Sequence, residues 1–294
     1  MSDDSRLPWT DEQWATVQRI VQESARKARV ASSFLPLVGP LPDGQASVPA
    51  LGVVYDGIDR SERERGEAEQ RLEVDDGKTL PLTRIACNVY LKTQQAEDPD
   101  LASARQMLGR AADVIGRLED AIVLNGQPGK DKPPANIDDI PKVYTVRGGA
   151  RHAGLLSDKD EETDEQPEGE KTDPRSRCKV TVDLAKGGNG VVKAVIAAVQ
   201  GLERRGHYGP FACVLGHSLY RAANTPNKGS LVLPSDRIIP FLDGGPLRRS
   251  SVVPAGQGVV VALAGSPIDL VVASDVHVSY LQLTLEPRYV LRVS

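Results

Sequence analysis

The chain of 294 residues is poor in aromatic residues and in cysteine. Aromatic residues make up only 4% of it, so a buried core has to be built mainly from aliphatic side chains. The three cysteines, Cys87, Cys178 and Cys213, are an odd number at wide spacing. Such a set fits neither a disulfide framework nor a group of zinc ligands. Because Cys87 and Cys213 lie in apolar, strand-like runs, they are predicted to be buried free thiols.

Segments that direct proteins to membranes are also lacking. The first residues are acidic and polar, without the apolar centre of a signal peptide. The longest apolar runs, such as residues 259–265, are far too short to span a bilayer. The net charge of -4 gives no surplus of lysine and arginine for phosphate contacts. We therefore expect a cytoplasmic protein with no membrane contact, and a nucleic-acid partner is disfavoured.

No catalytic or metal-binding pattern stands out. The pentapeptide Gly-His-Ser-Leu-Tyr at 216–220 sets a serine beside a histidine, but a nucleophile elbow requires glycine in place of Tyr220. Gly-Gly-Asn-Gly at 187–190 lacks the Lys-Ser/Thr of a phosphate-binding loop. Glu119 and Asp120 are predicted to lie on the exposed side of a helix. The histidines are scattered: His152, His207, His217 and His277. We predict no enzymatic activity, no cofactor and no metal site.

The first predicted element is a helix that starts after Thr10. Thr10 is a suitable N-cap, and Gln13, three residues later, completes a capping box. The helix is expected to fade near Ala31, because Pro36 and the glycine and proline residues after it cannot continue it. Apolar side chains at helical spacing form one stripe, which comprises Trp14, Val17, Ile20 and Val21.

Two strand-like segments, 48–55 and 79–89, enclose a strongly charged stretch at 60–77. They predict an extended hairpin that projects from the body of the protein. A short surface helix over 60–72 is an equally good alternative.

The clearest predicted helix follows Asp100, which is a suitable N-cap, and it ends at Asn125-Gly126. Roughly 25 residues correspond to about 38 Å, which suits a spine across a flat subunit. A further helix is predicted over 187–205. The later strands are predicted to be antiparallel, at 211–215, 258–264, 268–272, 276–283 and 289–293. Together these elements predict an α+β fold.

An acidic stretch at 157–174 has almost no apolar content. It is predicted to be a solvated loop, because it offers nothing that a core could bury. It also lacks the spacing of acidic residues around a central glycine that an EF-hand requires.

Five further segments occur in order along nearly the whole chain. They are Leu-Pro-Trp-Thr-Asp-Glu-Gln-Trp at 7–14, Lys-Thr-Leu-Pro-Leu at 78–82, Leu-Glu-Asp-Ala-Ile-Val-Leu-Asn-Gly at 118–126, Gly-Pro-Phe-Ala-Cys-Val-Leu-Gly at 209–216, and the segment at 268–280 that contains Asp275 and Tyr280. Together they resemble encapsulin shell proteins. The resemblance implies an HK97-type phage capsid fold with a peripheral domain, an axial domain and an extended loop (E-loop) that reaches over a neighbouring subunit.

The implied boundaries are 1–46 for the N-terminal helix and arm of the peripheral domain, 47–86 for the E-loop, 87–130 for the spine helix, 131–265 for the axial domain with the acidic insertion 157–174, and 266–294 for the C-terminal strands. The resemblance implies E-loop contacts between subunits by Asp59, Arg60, Arg63, Arg65 and Arg71.

The implied function is a non-enzymatic shell subunit that self-assembles into an icosahedral nanocompartment. Its cargo would be a ferritin-like protein or a dye-decolorising-type peroxidase, held by a short C-terminal peptide. The candidate groove for that peptide comprises Trp14, Val17, Ile20, Val21, Ala25, Val30 and Phe34. For Trp14, Val17 and Val21 a plain core position is the alternative. The alternative function is a phage or prophage major capsid protein that encloses DNA.

Overall fold

The computed structural model describes residues 7–42, 44–54, 73–156, 180–227, 229, 231–264 and 268–294. In these ranges the α-helices are α1 (Asp11–Ala28), α2 (Thr93–Ala96), α3 (Ala102–Asn125), α4 (Gly188–Glu203), α5 (His217–Ala223) and α6 (Pro234–Ile238). The strands are β1 (Leu37–Val38), β2 (Ser47–Val54), β3 (Glu73–Pro81), β4 (Thr83–Lys92), β5 (Gly126–Gln127), β6 (Tyr144–Gly148), β7 (His152–Ala153), β8 (Phe211–Leu215), β9 (Leu247–Arg249), β10 (Gly258–Ala262), β11 (Leu270–Val271), β12 (Val278–Leu283) and β13 (Arg288–Val293).

An antiparallel sheet in the order β12-β13-β4-β6 packs against the helices α1 and α3. Strand β13, near the end of the chain, lies between β12 and β4, and Leu291 is the register partner of Val89. The core between sheet and helices contains residues as far apart as Leu7 and Val293. Both ends of the described chain therefore have to come together before this core closes.

Helix α1 begins as its sequence indicates and ends at Ala28, three residues before the predicted end near Ala31. Oγ1 of Thr10 accepts a hydrogen bond from the backbone N–H of Gln13, and Oε1 of Gln13 accepts one from the N–H of Thr10. This capping box confirms the predicted start.

The long helix α3 starts differently from the prediction. Asp100 does not cap it, and that prediction was wrong. Oδ2 of Asp98 accepts the hydrogen bond from the N–H of Ala102 at 3.0 Å, because Leu101 adopts a left-handed backbone that turns the chain into the helix. The predicted end is confirmed, since Gly126 follows Asn125 with a φ of 79°, a conformation that glycine adopts without strain. The 24 residues make α3 about 36 Å long.

Helices α1 and α3 approach each other closely through two glycines of α3. A Cβ atom at Gly116 would lie 2.9 Å from Cβ of Ala28 and 3.0 Å from the carbonyl oxygen of Ala25. One at Gly109 would lie 3.3 Å from Oγ of Ser24. Glycine at these positions lets the backbone of α1 lie directly on α3.

A second, smaller sheet in the order β10-β8-β9 packs against α4. Strand β8 is buried along its whole length, and its pairing with β10 is antiparallel. Its pairing with β9 is parallel, and so is the pairing of β1 with β11. The expectation of antiparallel strands alone was therefore wrong. The segments between the paired strands return the chain to the same end of the sheet, so the second strand runs in the same direction as the first.

A third apolar cluster connects the spine to the second sheet. Val114, Leu118 and Leu124 of α3 lie in it with Val214 of β8. The predicted burial of Cys87 and Cys213 is confirmed, and burial raises the pKa of the Cys213 thiol to about 12. Cys178 lies outside the described residues.

Strands β2 and β3 pair antiparallel, with Ser47 opposite Pro81 and Val54 opposite Glu73. This pairing is what the predicted hairpin requires at its base. Residues 60–72 of the charged stretch, which include the alternative helix, lie outside the described residues, and residues 73–77 of it belong to β3.

Candidate assembly and cargo-docking surfaces

The described part of the chain offers assembly surfaces and no group of metal ligands. No cluster of three or more histidine, cysteine, aspartate or glutamate side chains able to hold a metal occurs within it. Among the helices in the same ranges, none is both long and apolar enough to cross a membrane.

The structure divides the seven candidate groove residues into two groups. Val17, Val21 and Ala25 are fully buried against α3 and the first sheet, with 0% of each residue exposed. A peptide laid on the surface cannot reach them, so the core alternative holds for Val17 and Val21. The remaining four are half-buried and line the flanks of α1 and the segment after it: Trp14, Ile20, Val30 and Phe34.

The outward face of α1 is polar. It carries exposed residues such as Glu12, Arg19, Gln22 and Arg26. The outward face of α1 therefore offers no continuous apolar surface to a peptide. The half-buried apolar candidates lie beside this face, on α1 and on the segment after it.

Trp14 carries a hydrogen-bond donor that the described residues leave unused. Its ring packs edge-on against Trp9, with ring centroids 4.9 Å apart. The indole nitrogen of Trp9 donates to the carbonyl oxygen of Ala96 at 2.8 Å. The buried Nε1 of Trp14 has no acceptor within the described ranges. A buried donor without a partner costs free energy, and this nitrogen is closed to solvent in the isolated subunit.

The segment that leaves α1 is fixed to the spine by the buried carboxylate of Asp120. Its Oδ2 accepts a hydrogen bond from the N–H of Val30 at 2.8 Å, and its Oδ1 accepts one from the N–H of Ala31 at 2.8 Å. The burial of Asp120, which is 2% exposed, raises its pKa to about 7, although the hydrogen bonds from Ala31 and Val30 act in the opposite direction.

Arg29 connects the same junction to the C-terminal part of the chain. Its guanidinium lies 2.8 Å from Oε2 of Glu119 and 3.2 Å from Oδ1 of Asp275. Burial raises the pKa of Glu119, although Arg29 acts to lower it. The prediction that Glu119 and Asp120 lie on the exposed side of the helix was wrong, because the segment after α1 folds back over this part of α3.

Gln18 was not singled out by its sequence pattern, yet it joins α1 to the start of strand β12. Its side-chain amide donates to the carbonyl oxygen of Val276 at 3.2 Å and accepts from the N–H of Val278 at 3.0 Å. A lone glutamine off the apolar stripe carries no sequence signal for this role, since the partner strand follows about 260 residues later.

One edge of the first sheet is apolar and exposed. In the described part of the chain β12 is an edge strand, so one side of its backbone has no partner strand. Leu283 and Leu285 are 52% and 107% exposed, and Tyr90 lies beside them. Exposed apolar side chains on an unpaired edge are typical of a surface that another chain covers.

The segments on either side of α6 also carry exposed apolar residues. They are Leu231, Val232, Ile239 and Phe241. The first sheet and the segments around α6 therefore both present apolar side chains to solvent in the isolated subunit.

The predicted E-loop contacts Asp59, Arg60, Arg63, Arg65 and Arg71 lie outside the described residues, and so does the acidic insertion at 157–174.

Comparison with solved structures gives the fold. A virus-like particle from Pyrococcus furiosus matches with a TM-score of 0.58 and 13% identity, over 96% of this chain and 92% of that chain. The capsid of an empty GTA particle matches with a TM-score of 0.55 and 17% identity, over 90% and 83% of the two chains. The chain has the HK97-type capsid fold, as its sequence predicted.

Sequence comparison indicates which kind of capsid protein the chain resembles. A family model described as the encapsulating protein for peroxidase matches residues 174–289. The type 1 encapsulin shell protein of Myxococcus xanthus is 24% identical over 281 residues, which cover 93% of this chain and 84% of that protein. A diheme-cytochrome-encapsulin shell fusion protein of Kuenenia stuttgartiensis is 27% identical over 293 residues, which cover 94% of this chain and 66% of that protein. The resemblance to encapsulin shell proteins is thus confirmed, and these matches support a shell-forming subunit.

Proposed function

We propose that the chain assembles into a closed icosahedral nanocompartment in the cytoplasm and encloses a cargo enzyme without catalysing a reaction itself. The observation that carries this proposal is the match to encapsulin shell proteins along more than nine-tenths of the chain. The exposed apolar residues on the first sheet and around α6 support it, because contacts between copies would remove them from water.

Negative-stain electron microscopy of the purified chain tests assembly directly. We expect uniform closed spheres when the chain is expressed alone. A monodisperse monomer or small oligomer under several buffer conditions would refute the shell.

A double substitution, Leu283→Lys with Leu285→Lys, tests whether the exposed edge takes part in assembly. Both side chains are exposed in the isolated subunit, so the fold is expected to survive while closed particles are lost. Gln22→Lys on the outward face of α1 is the control and should leave the particles intact. Closed particles from the double variant would exclude this edge as a contact between copies.

For cargo, we propose that a C-terminal peptide docks along the flank of α1, in contact with Trp14, Ile20, Val30 and Phe34. The supporting observation is the half-buried state of these apolar side chains, which leaves part of each within reach of a docked peptide. Each contact is modest, and an oligomeric cargo would bind through several peptides at once. A ferritin-like protein or a dye-decolorising-type peroxidase is the proposed cargo.

Trp14→Phe tests this docking, because it reduces the half-buried aromatic surface that the peptide would contact and keeps the side chain apolar. A fluorescent protein carrying the C-terminal peptide of such a cargo, co-expressed with the shell, should load several-fold less into the variant. Trp9→Phe is the matched control, since it removes the bond to Ala96 and is expected to affect stability rather than loading. Equal loading by the Trp14 variant and the parent would contradict the proposed peptide contact.

The alternative of a DNA-enclosing capsid is tested on the same particles. The net charge of -4 favours a shell without a genome. We expect nuclease-treated particles to yield no protected DNA after disruption. Protected DNA of uniform length would favour the phage or prophage capsid.

A further inference from the structure

A cationic pocket lies in the smaller sheet, where the parallel strands β8 and β9 end. It has a volume of about 340 Å³ and is lined by His217, Ser218, Tyr220, Arg221 and Arg249. Leu215 and Arg249, the last residues of the two strands, are register partners, so α5 starts beside the end of β9. In open sheets with parallel strands, ligands bind at this carboxyl end.

The charge of the pocket has one sign. Two guanidinium groups and an imidazole line it, and no carboxylate does. Within the described ranges, Arg221 and Arg249 take part in none of the salt bridges. Two arginines that line one pocket favour an anion, and their planar forks match the oxygens of a phosphate group.

Tyr220 holds one of these arginines in place. The guanidinium carbon of Arg249 lies 5.7 Å from the centre of the Tyr220 ring, in a cation–π contact. A guanidinium fixed in this way loses less conformational freedom when it binds a ligand. The aromatic face also gives the pocket an apolar wall beside its charges.

The backbone around the pocket is already engaged. The N–H groups of Ser218 and Leu219 donate to the carbonyl oxygen of Ala255, at 3.0 Å and 3.3 Å. The N–H of Gly216 donates to Gln257, and a Cβ at Gly216 would lie 2.1 Å from the carbonyl oxygen of Pro254. An anion in this pocket is therefore held by side chains and not by the start of the short helix α5.

We propose that this pocket binds a phosphate-bearing small molecule. Arg221 and Arg249 contact the phosphate oxygens, Ser218 adds a hydroxyl donor, and Tyr220 forms the wall against the organic part. The volume lies within the range of small-molecule sites, so there is room for more than a bare phosphate. This proposal is independent of the proposed function, since the pocket lies apart from α1 and from the exposed edge at β12.

Isothermal titration calorimetry of assembled particles with inorganic pyrophosphate tests the proposal. We expect saturable binding that weakens as salt rises, because exposed charges are screened. Arg221→Gln and Arg249→Gln should each weaken binding about tenfold or more, as expected for the loss of a hydrogen bond to a charged group. Arg248→Gln is the matched control, because its side chain points to the other face of β9 and does not line the pocket.

A second pair of variants separates the ring of Tyr220 from its hydroxyl. Tyr220→Phe keeps the aromatic face and should retain binding, whereas Tyr220→Leu removes the support of Arg249 and should weaken binding several-fold. Electron microscopy of every variant shows whether particles still form, so failure of the pocket and failure of the shell are distinguishable.

Three results would overturn the proposal. They are no heat of binding to intact parent particles, equal affinity in the Arg248 variant and the two pocket variants, and binding that occurs only in dissociated subunits. The last result would mean that a neighbouring copy covers the pocket in the shell.

Discussion

Two parts of the subunit take their names from the domains that the family resemblance implies. The peripheral part is taken as α1, α3 and the sheet β12-β13-β4-β6, and the axial part as residues 180–264. Both parts bury aliphatic cores, but the residues of the two cores are distributed differently along the chain. The peripheral core joins residues from Leu7 to Val293, whereas the axial core comprises residues between Val191 and Ala262. A core drawn from one continuous segment closes with less loss of chain entropy than one drawn from both ends of the chain. We therefore expect the axial part to keep its structure when the peripheral part is disturbed.

The two parts also differ in what they bury besides apolar side chains. The peripheral spine buries Asp120 and pairs Arg29 with Glu119. The buried polar side chains of the axial part are Ser235 and Ser250, which do not titrate. Dependence of stability on pH should thus arise mainly in the peripheral part.

The largest expected effect comes from a charge in the peripheral core. Val21→Asp places a carboxylate where 0% of the residue is exposed, so we expect a loss of about 4 kcal/mol or more in the free energy of unfolding. Hydrogen exchange should show that α1 and α3 lose protection while α4 and β8 retain theirs. Gln22→Asp, at the next and exposed position, should have little effect. Equal loss of protection in both parts would contradict the expectation that the axial part keeps its structure when the peripheral part is disturbed.

The next largest effect is a dependence of stability on pH that arises from Asp120. Its pKa is about 7 in the folded chain and near its ordinary value of 3.8 when unfolded, so the folded state binds more protons in between. The stabilisation from its protonated form is full below pH 3.8 and is lost as pH rises through 7. Between pH 5 and pH 8 the free energy of unfolding should therefore fall by roughly 2 to 3 kcal/mol.

Asp120→Asn tests this assignment, because the amide keeps an acceptor for the N–H groups of Val30 and Ala31 and does not titrate. Urea unfolding at pH 5 and pH 8 should show a smaller fall in stability for the variant than for the parent. An identical fall in both proteins would place the pH dependence elsewhere.

A smaller effect distinguishes the two glycines of the spine. Gly116→Ala brings a methyl group within 2.9 Å of Ala28 and should cost about 1 to 3 kcal/mol, because α1 must shift. At Gly109→Ala the tight contact is with the hydroxyl of Ser24 at 3.3 Å, and the better helix propensity of alanine should offset the cost of that contact. The free energy of unfolding should therefore stay the same or rise by up to about 1 kcal/mol. Thermal unfolding of both variants measures the difference, and equal midpoints would contradict the close approach at Gly116.

The smallest expected effect concerns Gln18. Gln18→Ala removes two hydrogen bonds to strand β12, and we expect a loss of about 1 to 2 kcal/mol in chemical unfolding. Gln22→Ala, on the exposed side of the same helix, should change stability by less than about 0.5 kcal/mol. Equal stability of both variants would show that Gln18 does not hold the two ends of the chain together.

Features that depend on neighbouring residues were predictable from the sequence. The capping box of Thr10 and Gln13, the end of the spine at Gly126 and strand β8 all lie where local patterns indicated. The start of the spine was missed by one residue, because the capping carboxylate comes from Asp98, not Asp100, across a left-handed Leu101. An aspartate pattern alone does not reveal which of two nearby carboxylates the backbone turns toward.

The candidate groove was predictable only in part, because a local pattern does not reveal what packs against a side chain. The spacing of Trp14, Val17, Ile20 and Val21 identifies an apolar stripe, but a stripe does not say whether a core or a partner covers it. The structure shows that Val17 and Val21 face the core and leaves Trp14 and Ile20 at the flank.

The sequence by itself determined the α+β class, the long spine and the family resemblance, because these depend on short-range periodicity and on segments in a fixed order. Only the tertiary structure decided that Asp120 is buried, that Gln18 joins the two ends of the chain, and that Arg249 lies over Tyr220. Those contacts join residues from about 30 to 260 positions apart, and no local pattern encodes which distant backbone a polar side chain will meet.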